Sequence, residues 1–309
     1  MDNDVVILTA CDQRYFPYCV DLLMSIQKAM GALPRIRVLD VGMLPGQAAA
    51  LAGIVEKVIE PDWDVGADMG LKPWYRAMTA RPFLPRYAEN AAILVWMDSD
   101  TWVQRFAPLA ALIRSARDGA LAIVEEKFGS GFTATLWPDH GGTLSGVNTD
   151  SVKAYIRDCC EKCFGQETAD AFGDLPCFNN GVFALRTDSP SWAVWQELYA
   201  PALKQHFHLM SEQMALNVGI RRGRIPISRQ SQEANYTCHL ELPWYSAKQG
   251  VFTIPGDEDR VIGTVHLCET KNYRSLPIPQ FPDGEIRQMP LDCRRVEQFA
   301  KTGGLSNTE

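Results

Sequence analysis

The first third of the chain alternates short apolar runs with segments whose apolar residues recur at helical spacing. Residues 5–10 form a β-branched run that predicts a strand buried on both faces. Pro17 then opens an amphipathic segment, and Gly31 is placed to end the helix that it predicts. Further strands are predicted at 35–41, 55–59, 92–97 and 121–124, with helices at 47–52 and from Pro73. This order predicts an α/β fold in which helices cover both faces of a mostly parallel sheet.

The pattern is less regular in the second half. Glycine, threonine and serine cluster between residues 129 and 146, which predicts a long loop near a binding site. Helices are predicted at 151–162, 192–203 and 212–218, and strands at 181–185, 234–241 and 261–267. Proline and polar residues dominate from 277 to 309, so we expect a single domain of residues 1–276 followed by a loosely packed tail.

Composition narrows the class of protein. The 309 residues include 30 basic and 37 acidic side chains, a net charge of −7, and 46% are hydrophobic. Such a chain folds into a globular core, and its negative charge argues against nucleic acid as a partner. The acidic start has no basic, apolar leader, no stretch is long enough to span a membrane, and the nine cysteines are odd in number. We therefore expect a cytoplasmic protein with reduced thiols, in which the sequon at Asn235 carries no sugar.

The most informative stretch is the apolar run 94–97 followed by Asp98, Ser99 and Asp100. In open α/β sheets ligands bind beyond the carboxyl ends of the strands, and two carboxylates at this spacing can reach one hard divalent cation. A simpler alternative is that Asp98 caps a turn and Asp100 is solvated. Phosphatases with an aspartate nucleophile and nucleotide-sugar glycosyltransferases both place such a pair after an apolar strand. Trp102 stands where the phosphatase motif has threonine or valine.

Six separated segments point to the second class. In chain order they comprise residues 8–15, 22–26, 72–100 with its Lys-Pro-Trp and Asp-Ser-Asp, 178–183, 212–217 and 266–271. Together they resemble the glycosyltransferase A fold, in particular the retaining family 8 glycosyltransferases that include glycogenin and bacterial galactosyltransferases. The likeness extends from about residue 5 to 272 in the family's order. Four positions depart from the family pattern: Glu269 replaces a glycine, Lys271 comes one residue early and without the following Pro-Trp, Glu212 replaces an aspartate, and Tyr15 stands slightly differently from its place in some members.

The resemblance implies a role for each motif residue. Asp98, Asp100 and His266 would hold Mn²⁺ or Mg²⁺, and Glu212 and Gln213 would be the catalytic residues, with Gln213 facing the anomeric carbon. The residues implied in binding the donor are Thr9, Ala10, Asp12, Tyr15, Lys72, Ser99, Asn179, Asn180, Gly181 and Lys271. Among these, Asp12 and Tyr15 would contact the nucleobase, and the two lysines would contact the diphosphate.

The implied activity is metal-dependent transfer of a sugar from a nucleotide sugar, in the first instance a UDP-sugar, with retention of configuration. The acceptor could be a saccharide, a lipid-linked group or a protein. Two alternatives stay open from the residues themselves. A nucleotide-sugar-binding protein with decayed catalytic machinery would account for Glu269 and the shifted Lys271. A phosphatase would use Asp98 as its nucleophile. For single residues the alternatives are ordinary ones, such as packing for Tyr15 or a position at a helix start for Glu212.

Overall fold

A computed structural model describes residues 2–127, 135–138, 144–147 and 149–296. The strands are β1 (Val5–Cys11), β2 (Ile36–Asp40), β3 (Lys57–Ile59), β4 (Ile93–Met97), β5 (Thr101–Val103), β6 (Leu121–Glu125), β7 (Thr135–Pro138), β8 (Leu144–Val147), β9 (Phe178–Arg186), β10 (Ile227–Gln230), β11 (Tyr236–Thr237), β12 (Trp244–Ser246), β13 (Val251–Thr253), β14 (Thr264–His266), β15 (Leu276–Pro279) and β16 (Ile286–Met289). The helices are α1 (Phe16–Met30), α2 (Pro45–Ala52), α3 (Arg76–Thr79), α4 (Phe106–Ala116), α5 (Thr149–Phe164), α6 (Gln166–Phe172), α7 (Ser191–Gln205) and α8 (Ser211–Arg221). Short 3₁₀ helices lie at Ala67–Met69, Pro73–Tyr75, Arg81–Tyr87, Gln232–Ala234 and Cys268–Asn272.

A seven-stranded sheet in the order β10-β6-β9-β4-β1-β2-β3 forms the centre of the protein. The neighbours β3, β2, β1 and β4 pair in parallel, as do β10 and β6. Strand β9 lies between β4 and β6 and is antiparallel to both. The predicted α/β class and mostly parallel sheet are confirmed.

The sheet is buried on both faces because successive side chains of a strand point to opposite sides. In β1, Val6 and Leu8 pack with Trp96 and the helix α7, whereas Val5 and Ile7 pack with α1 and α4. All seven residues of β1 are buried. A strand that is buried on both faces requires a near-continuous apolar run, and residues 5–10 provide the run that predicts β1.

A smaller sheet, β11-β14-β5, determines where the late segments of the chain meet the first half. Strand β14 pairs antiparallel with β5, and its register places His266 opposite Thr101. Since β5 follows Asp100 directly, this pairing brings His266 to the Asp98–Asp100 turn across more than 160 residues of sequence.

Several predicted elements have other bounds. The strands expected at 234–241 and 261–267 shorten to β11 and β14. The helix expected from Pro73 is broken into 3₁₀ and α turns, since Pro82 and Pro85 lack the N–H that a continuous α-helix needs. Within the loop expected at 129–146, β7 and β8 form an antiparallel pair. The remainder of that stretch, 129–134 and 139–143, lies outside the described residues.

The segment from 277 packs more closely than the loose tail expected from its composition. Strands β15 and β16 form an antiparallel pair, and Ile278 and Met289 are fully buried in an apolar cluster with Trp102 and Phe252. Apolar residues at alternate positions supply a buried face despite the surrounding prolines. Residues 297–309 of the expected tail lie outside the described residues. Among the helices that the structure describes, none combines the length and the apolar character needed to cross a lipid bilayer.

Candidate metal and donor site

The two aspartates lie in the turn between β4 and β5. The Asp98 backbone N–H donates to the Gly181 carbonyl at 2.7 Å, which ties the turn to β9. The Thr101 hydroxyl and backbone N–H donate to the Asp98 carbonyl at 2.7 and 3.0 Å and close the turn. Ser99 is buried inside it. The turn presents both carboxylates at the carboxyl end of β4, where the sequence predicts a ligand site.

His266 completes a group that could hold a metal ion. Its Nε2 lies 3.9 Å from Asp98 Oδ2 and 3.6 Å from Asp100 Oδ1. One ligand atom from each of the three side chains lies within 4.8 Å of the other two. Two carboxylates and an imidazole form a donor set that suits Mn²⁺ and can also hold Mg²⁺. The structure thus brings together the three residues predicted as metal ligands.

Lys271 lies beside Asp100. Its Nζ is 3.1 Å from Asp100 Oδ2, donates to the Cys268 carbonyl at 2.6 Å and lies 5.3 Å from the centre of the Tyr15 ring. Burial works to raise the pKa of Asp100, but Lys271 and His266 hold it below its ordinary value. Burial likewise works to lower the pKa of Lys271, and the charge of Asp100 raises it. The tyrosine pKa rises to about 12, chiefly through burial. The one-residue offset of Lys271 therefore does not keep its ammonium group from Asp100.

Arg81 is a site residue that the sequence reasoning missed. Its Nη2 donates to Asp98 Oδ1, its Nη1 donates to Glu212 Oε2 at 3.0 Å, and its guanidinium lies 5.2 Å from the centre of the Trp96 ring. The Trp96 indole N–H also donates to Asp98 Oδ1, at 2.8 Å. Burial works to lower the pKa of Arg81, but the two carboxylates raise it. An arginine before a proline carries no local signal, since arginines are usually exposed.

The two predicted catalytic residues face different surroundings. Glu212 is buried, and its Oε1 accepts a bond from Asn180 Nδ2 at 2.7 Å while Oε2 accepts from Arg81. Burial raises the pKa of Glu212 to about 7, partly offset by Arg81 and Asn180. The backbone carbonyl of Gln213 accepts from Asn217 Nδ2 at 2.9 Å. Burial raises the pKa of the nearby Cys177 thiol well above its ordinary range, and Gln213 acts in the opposite direction. The structure brings Glu212 to Asn180 and, through Arg81, to Asp98, whereas Gln213 is bonded through its carbonyl to Asn217 in the same helix.

Asn179 and Gly181 lie behind His266. Asn179 Nδ2 donates to Glu126 Oε1 at 2.7 Å, and its Oδ1 accepts from the Gly181 backbone N–H and from Asn235 Nδ2, both at 2.9 Å. Gly181 leaves room for the imidazole, since a Cβ there would stand 2.2 Å from His266 Cε1. Asn235 is 1% exposed, so the sequon at this position is inaccessible in the folded protein.

The remaining donor-site predictions fall on β1, on the loop that follows it and on Lys72. Thr9 and Ala10 are buried in β1, and the Thr9 hydroxyl has no hydrogen-bond partner in the described part of the chain. Asp12 Oδ1 accepts the backbone N–H groups of Arg14 and Tyr15 at 2.9 and 2.8 Å, and so orders the entry to α1. Lys72 is exposed and precedes the 3₁₀ helix Pro73–Tyr75. Their contacts with a donor stay predictions.

Comparison with known proteins is decisive at the level of the fold. No protein-family model matches the chain, and no curated protein matches it in sequence. Its structure is similar to that of galactosyltransferase LgtC in complex with donor and acceptor sugar analogues, with a TM-score of 0.51 and 14% identity over 98% of this chain and 97% of that chain. An active-site mutant of LgtC with glutamate in place of a glutamine gives the same values. The chain therefore has the glycosyltransferase A fold that the six motifs predicted.

Proposed function

We propose that this protein is a glycosyltransferase that uses a divalent metal ion to transfer a sugar from a nucleoside diphosphate sugar, first a UDP-sugar, to an acceptor. The observation that carries the proposal is the convergence of Asp98, Asp100 and His266 within 4.8 Å at the carboxyl end of β4. The neighbouring enzyme was solved with donor and acceptor sugar analogues, which supports a sugar donor for this site. The candidate acceptors are saccharides, lipid-linked groups and proteins.

The donor diphosphate belongs on the Asp100 side. Mn²⁺ or Mg²⁺ held by the three ligands would supply positive charge to the departing nucleoside diphosphate. Lys271 stands beside Asp100 and offers a second positive charge on a flexible stem, which suits a diphosphate oxygen. Tyr15 lies next to this ammonium and can hold a nucleobase by stacking.

The donor sugar belongs on the Asp98 side, where Arg81, Asn180 and Glu212 form a buried polar wall. Both carboxylate oxygens of Glu212 already accept hydrogen bonds, which weakens that group as a nucleophile. Gln213 carries an amide, which is a weak nucleophile as well. These features support substitution on the front face of the anomeric carbon with retention, without a covalent intermediate. Glu212 then orients the sugar together with Arg81.

The two alternatives make different demands on the same residues. A decayed binding protein would be indicated by a lysine that no longer reaches the site, but Lys271 Nζ lies 3.1 Å from Asp100. A phosphatase needs Asp98 as a free nucleophile, but Asp98 Oδ1 accepts bonds from both Arg81 and Trp96. The contacts of both residues therefore favour the glycosyltransferase.

The test is release of nucleoside diphosphate from a panel of nucleotide sugars with Mn²⁺ and no acceptor. The wild-type protein should hydrolyse one donor slowly, and Asp100→Ala should abolish that release. Asp118→Ala, which changes an exposed aspartate after α4, is the matched control and should leave the rate unchanged. Unchanged release in Asp100→Ala would refute the metal assignment. Donor binding without turnover on a broad acceptor array would favour the decayed protein. Aryl phosphate hydrolysis lost in Asp98→Asn would favour the phosphatase.

A further inference from the structure

A chain of buried polar side chains runs behind His266, on the far side of the imidazole from the two aspartates. Glu126, Asn179 and Asn235 form it, and each is at most 6% exposed. Glu126 Oε1 is 2.7 Å from Asn179 Nδ2, Asn179 Oδ1 is 2.9 Å from Asn235 Nδ2, and Asn235 Oδ1 is 3.1 Å from His266 Nδ1. Because these groups are buried away from bulk water, each must form its hydrogen bonds with its neighbours in the chain. Once one group is known to donate or accept, the role of the group bonded to it is therefore determined.

The direction of the chain follows from a backbone group. The oxygen and nitrogen of an asparagine amide are usually interchangeable on geometry alone. Here the Gly181 N–H, which can only donate, lies 2.9 Å from the Asn179 amide, so the atom that meets it must be the oxygen Oδ1. The Asn179 nitrogen then points to the Glu126 carboxylate, which accepts the bond.

The orientation of Asn235 follows in turn. Its atom nearest Asn179 Oδ1 must be the nitrogen, because two oxygens would repel each other. Asn235 Oδ1 is therefore the atom that faces His266, and it can only accept. His266 must place its proton on Nδ1. The lone pair of the neutral ring is then on Nε2, which faces Asp98 and Asp100.

The shape of the pocket restricts the ring as well. A side chain at position 181 would overlap His266 Cε1 and Nδ1, at 2.2 and 2.8 Å from its Cβ. Gly181 thus contributes the N–H that orients Asn179 and the space that the imidazole occupies. Both contributions come from β9, a rigid strand in the middle of the main sheet.

We infer that Asn235, Asn179 and Glu126 are positioning residues that hold His266 in the tautomer whose Nε2 can bind a metal ion. This inference rests on the proposed metal-dependent function and deepens it. It also gives Asn179 a role different from the contact with donor that its motif implies, since both ends of its amide are already bonded behind the site. Outer partners of this kind usually change metal affinity by 10- to 100-fold, through the orientation and basicity of the ligand.

The tautomer can be read without metal, donor or turnover. Nitrogen-15 NMR of histidine-labelled protein at about pH 9, where an ordinary imidazole is neutral, separates a protonated from an unprotonated ring nitrogen. The His266 signals are assigned by their loss in His266→Gln. We expect Nδ1 to carry the proton in the wild-type protein. Asn235→Leu should allow the other tautomer and weaken Mn²⁺ binding, measured by electron paramagnetic resonance without donor, by about 10- to 100-fold.

Two further variants separate positioning from loss of structure. Asn235→Gln keeps an amide that can both donate to Asn179 Oδ1 and accept from Nδ1–H, and it should retain the wild-type tautomer, with Mn²⁺ affinity within a few-fold of wild type. Gln280→Leu removes a different buried amide, in the β15–β16 hairpin, and should change neither signal. Failure of Asn235→Leu to fold would still leave the wild-type measurement decisive.

The tautomer and Mn²⁺-binding measurements test this inference independently of the donor hydrolysis that tests the proposed function. A proton on Nε2 of wild-type His266, or an Asn235→Leu protein with unchanged tautomer and Mn²⁺ affinity, would overturn the inference even if donor hydrolysis is observed. The expected tautomer and its loss in Asn235→Leu would support the inference even if no donor is hydrolysed, in which case the proposed function fails alone.

Discussion

The two aspartates of the site are two residues apart in sequence but belong to differently built surroundings. We call Arg81, Asp98, Asn180 and Glu212 the arginine side, and Tyr15, Asp100, His266 and Lys271 the lysine side. The arginine side is carried by β9, α8, the 3₁₀ helix Arg81–Tyr87 and the end of β4. The lysine side is carried by the small sheet, the 3₁₀ helix Cys268–Asn272 and the loop after β1.

The difference lies in the cation that each side uses. The guanidinium of Arg81 is a planar fork that bonds Asp98 and Glu212 at once, so the arginine side is held in one arrangement. The ammonium of Lys271 is a point charge on a flexible stem, bonded to Asp100 and to a backbone carbonyl. The comparison teaches that the arginine side is fixed by a fork of hydrogen bonds, whereas the lysine side is held by a single flexible charge; under the proposed function, the first would be preorganised around the donor sugar and the second could exchange its lysine for a metal ion.

The largest expected effect breaks the arginine side. Arg81→Met leaves Asp98 and Glu212 without their shared cation, and removing one partner of a buried ion pair costs about 3–5 kcal/mol. We expect the free energy of unfolding in urea to fall by that amount at neutral pH. Arg224→Met, which breaks the exposed pair with Glu197, is the control and should cause no comparable loss. Equal losses in the two variants would show that the arginine side is not specially held.

The second-largest effect is expected from Glu126, which lies behind His266 of the lysine side, and it concerns the pH dependence of stability. Burial raises the pKa of this carboxyl to about 7, so between about pH 4.5 and 7 the folded state keeps a proton that the unfolded state has released. Stability from this group is therefore present at low pH and lost as pH rises through 7, by about 3 kcal/mol. Glu126→Gln should remove that loss and unfold at a higher urea concentration than wild type at pH 8, but not at pH 4.

Urea titrations of both proteins across this pH range provide the measurement. Glu197→Gln changes an exposed glutamate and should follow the wild-type pH profile. A constant difference between wild type and Glu126→Gln across the range would mean that the Glu126 carboxyl has the same pKa in the folded and unfolded states, which would contradict a pKa raised by burial.

The smallest expected effect concerns Lys271, whose ammonium group would be displaced from Asp100 when a metal ion binds. Lys271→Met removes the positive charge 3.1 Å from Asp100, so Mn²⁺ should bind about tenfold more tightly in the absence of donor. Binding of nucleoside diphosphate in the presence of Mn²⁺ should weaken, because the diphosphate loses its lysine. Calorimetric titration measures both, with Lys248→Met at an exposed position as the control. Weaker Mn²⁺ binding in the variant would contradict the idea that Lys271 and the metal ion compete for Asp100.

Much of the fold could be predicted because its signals are local. Apolar runs such as 92–97 and the helical spacing after Pro17 depend only on neighbouring residues, and they gave the correct class and sheet type. The predicted bounds of an element were wrong where prolines interrupt a helix, as in the segment from Pro73, or where a strand pairs over only a few residues, as in β14. At 277–296 the buried face depends on packing against Trp102 and Phe252, which composition does not reveal.

The site divides in the same way. Asp98 and Asp100 stand out because they follow a buried strand, and His266 because its segment keeps its place in the order of motifs. Arg81 could not be found, since its partner Glu212 lies 131 residues away and nothing near it in sequence is unusual. Asp12 was visible in the sequence as a candidate contact for the nucleobase, but its local role was not. The structure shows that its carboxylate accepts the Tyr15 backbone N–H and so orders its own turn.

The sequence by itself determined that the chain builds a mostly parallel α/β sheet and that two carboxylates and a histidine are candidates for a metal site. Both conclusions rest on residue types and their order, which folding does not change. Only the tertiary structure decided which partners those residues receive. Arg81 meets Glu212, and both contact Asn180 of β9, while Asn235 meets Asn179 of the same strand across 56 residues. Hydrogen-bond direction and burial arise at such meetings, and they determine which atom of His266 faces the aspartates.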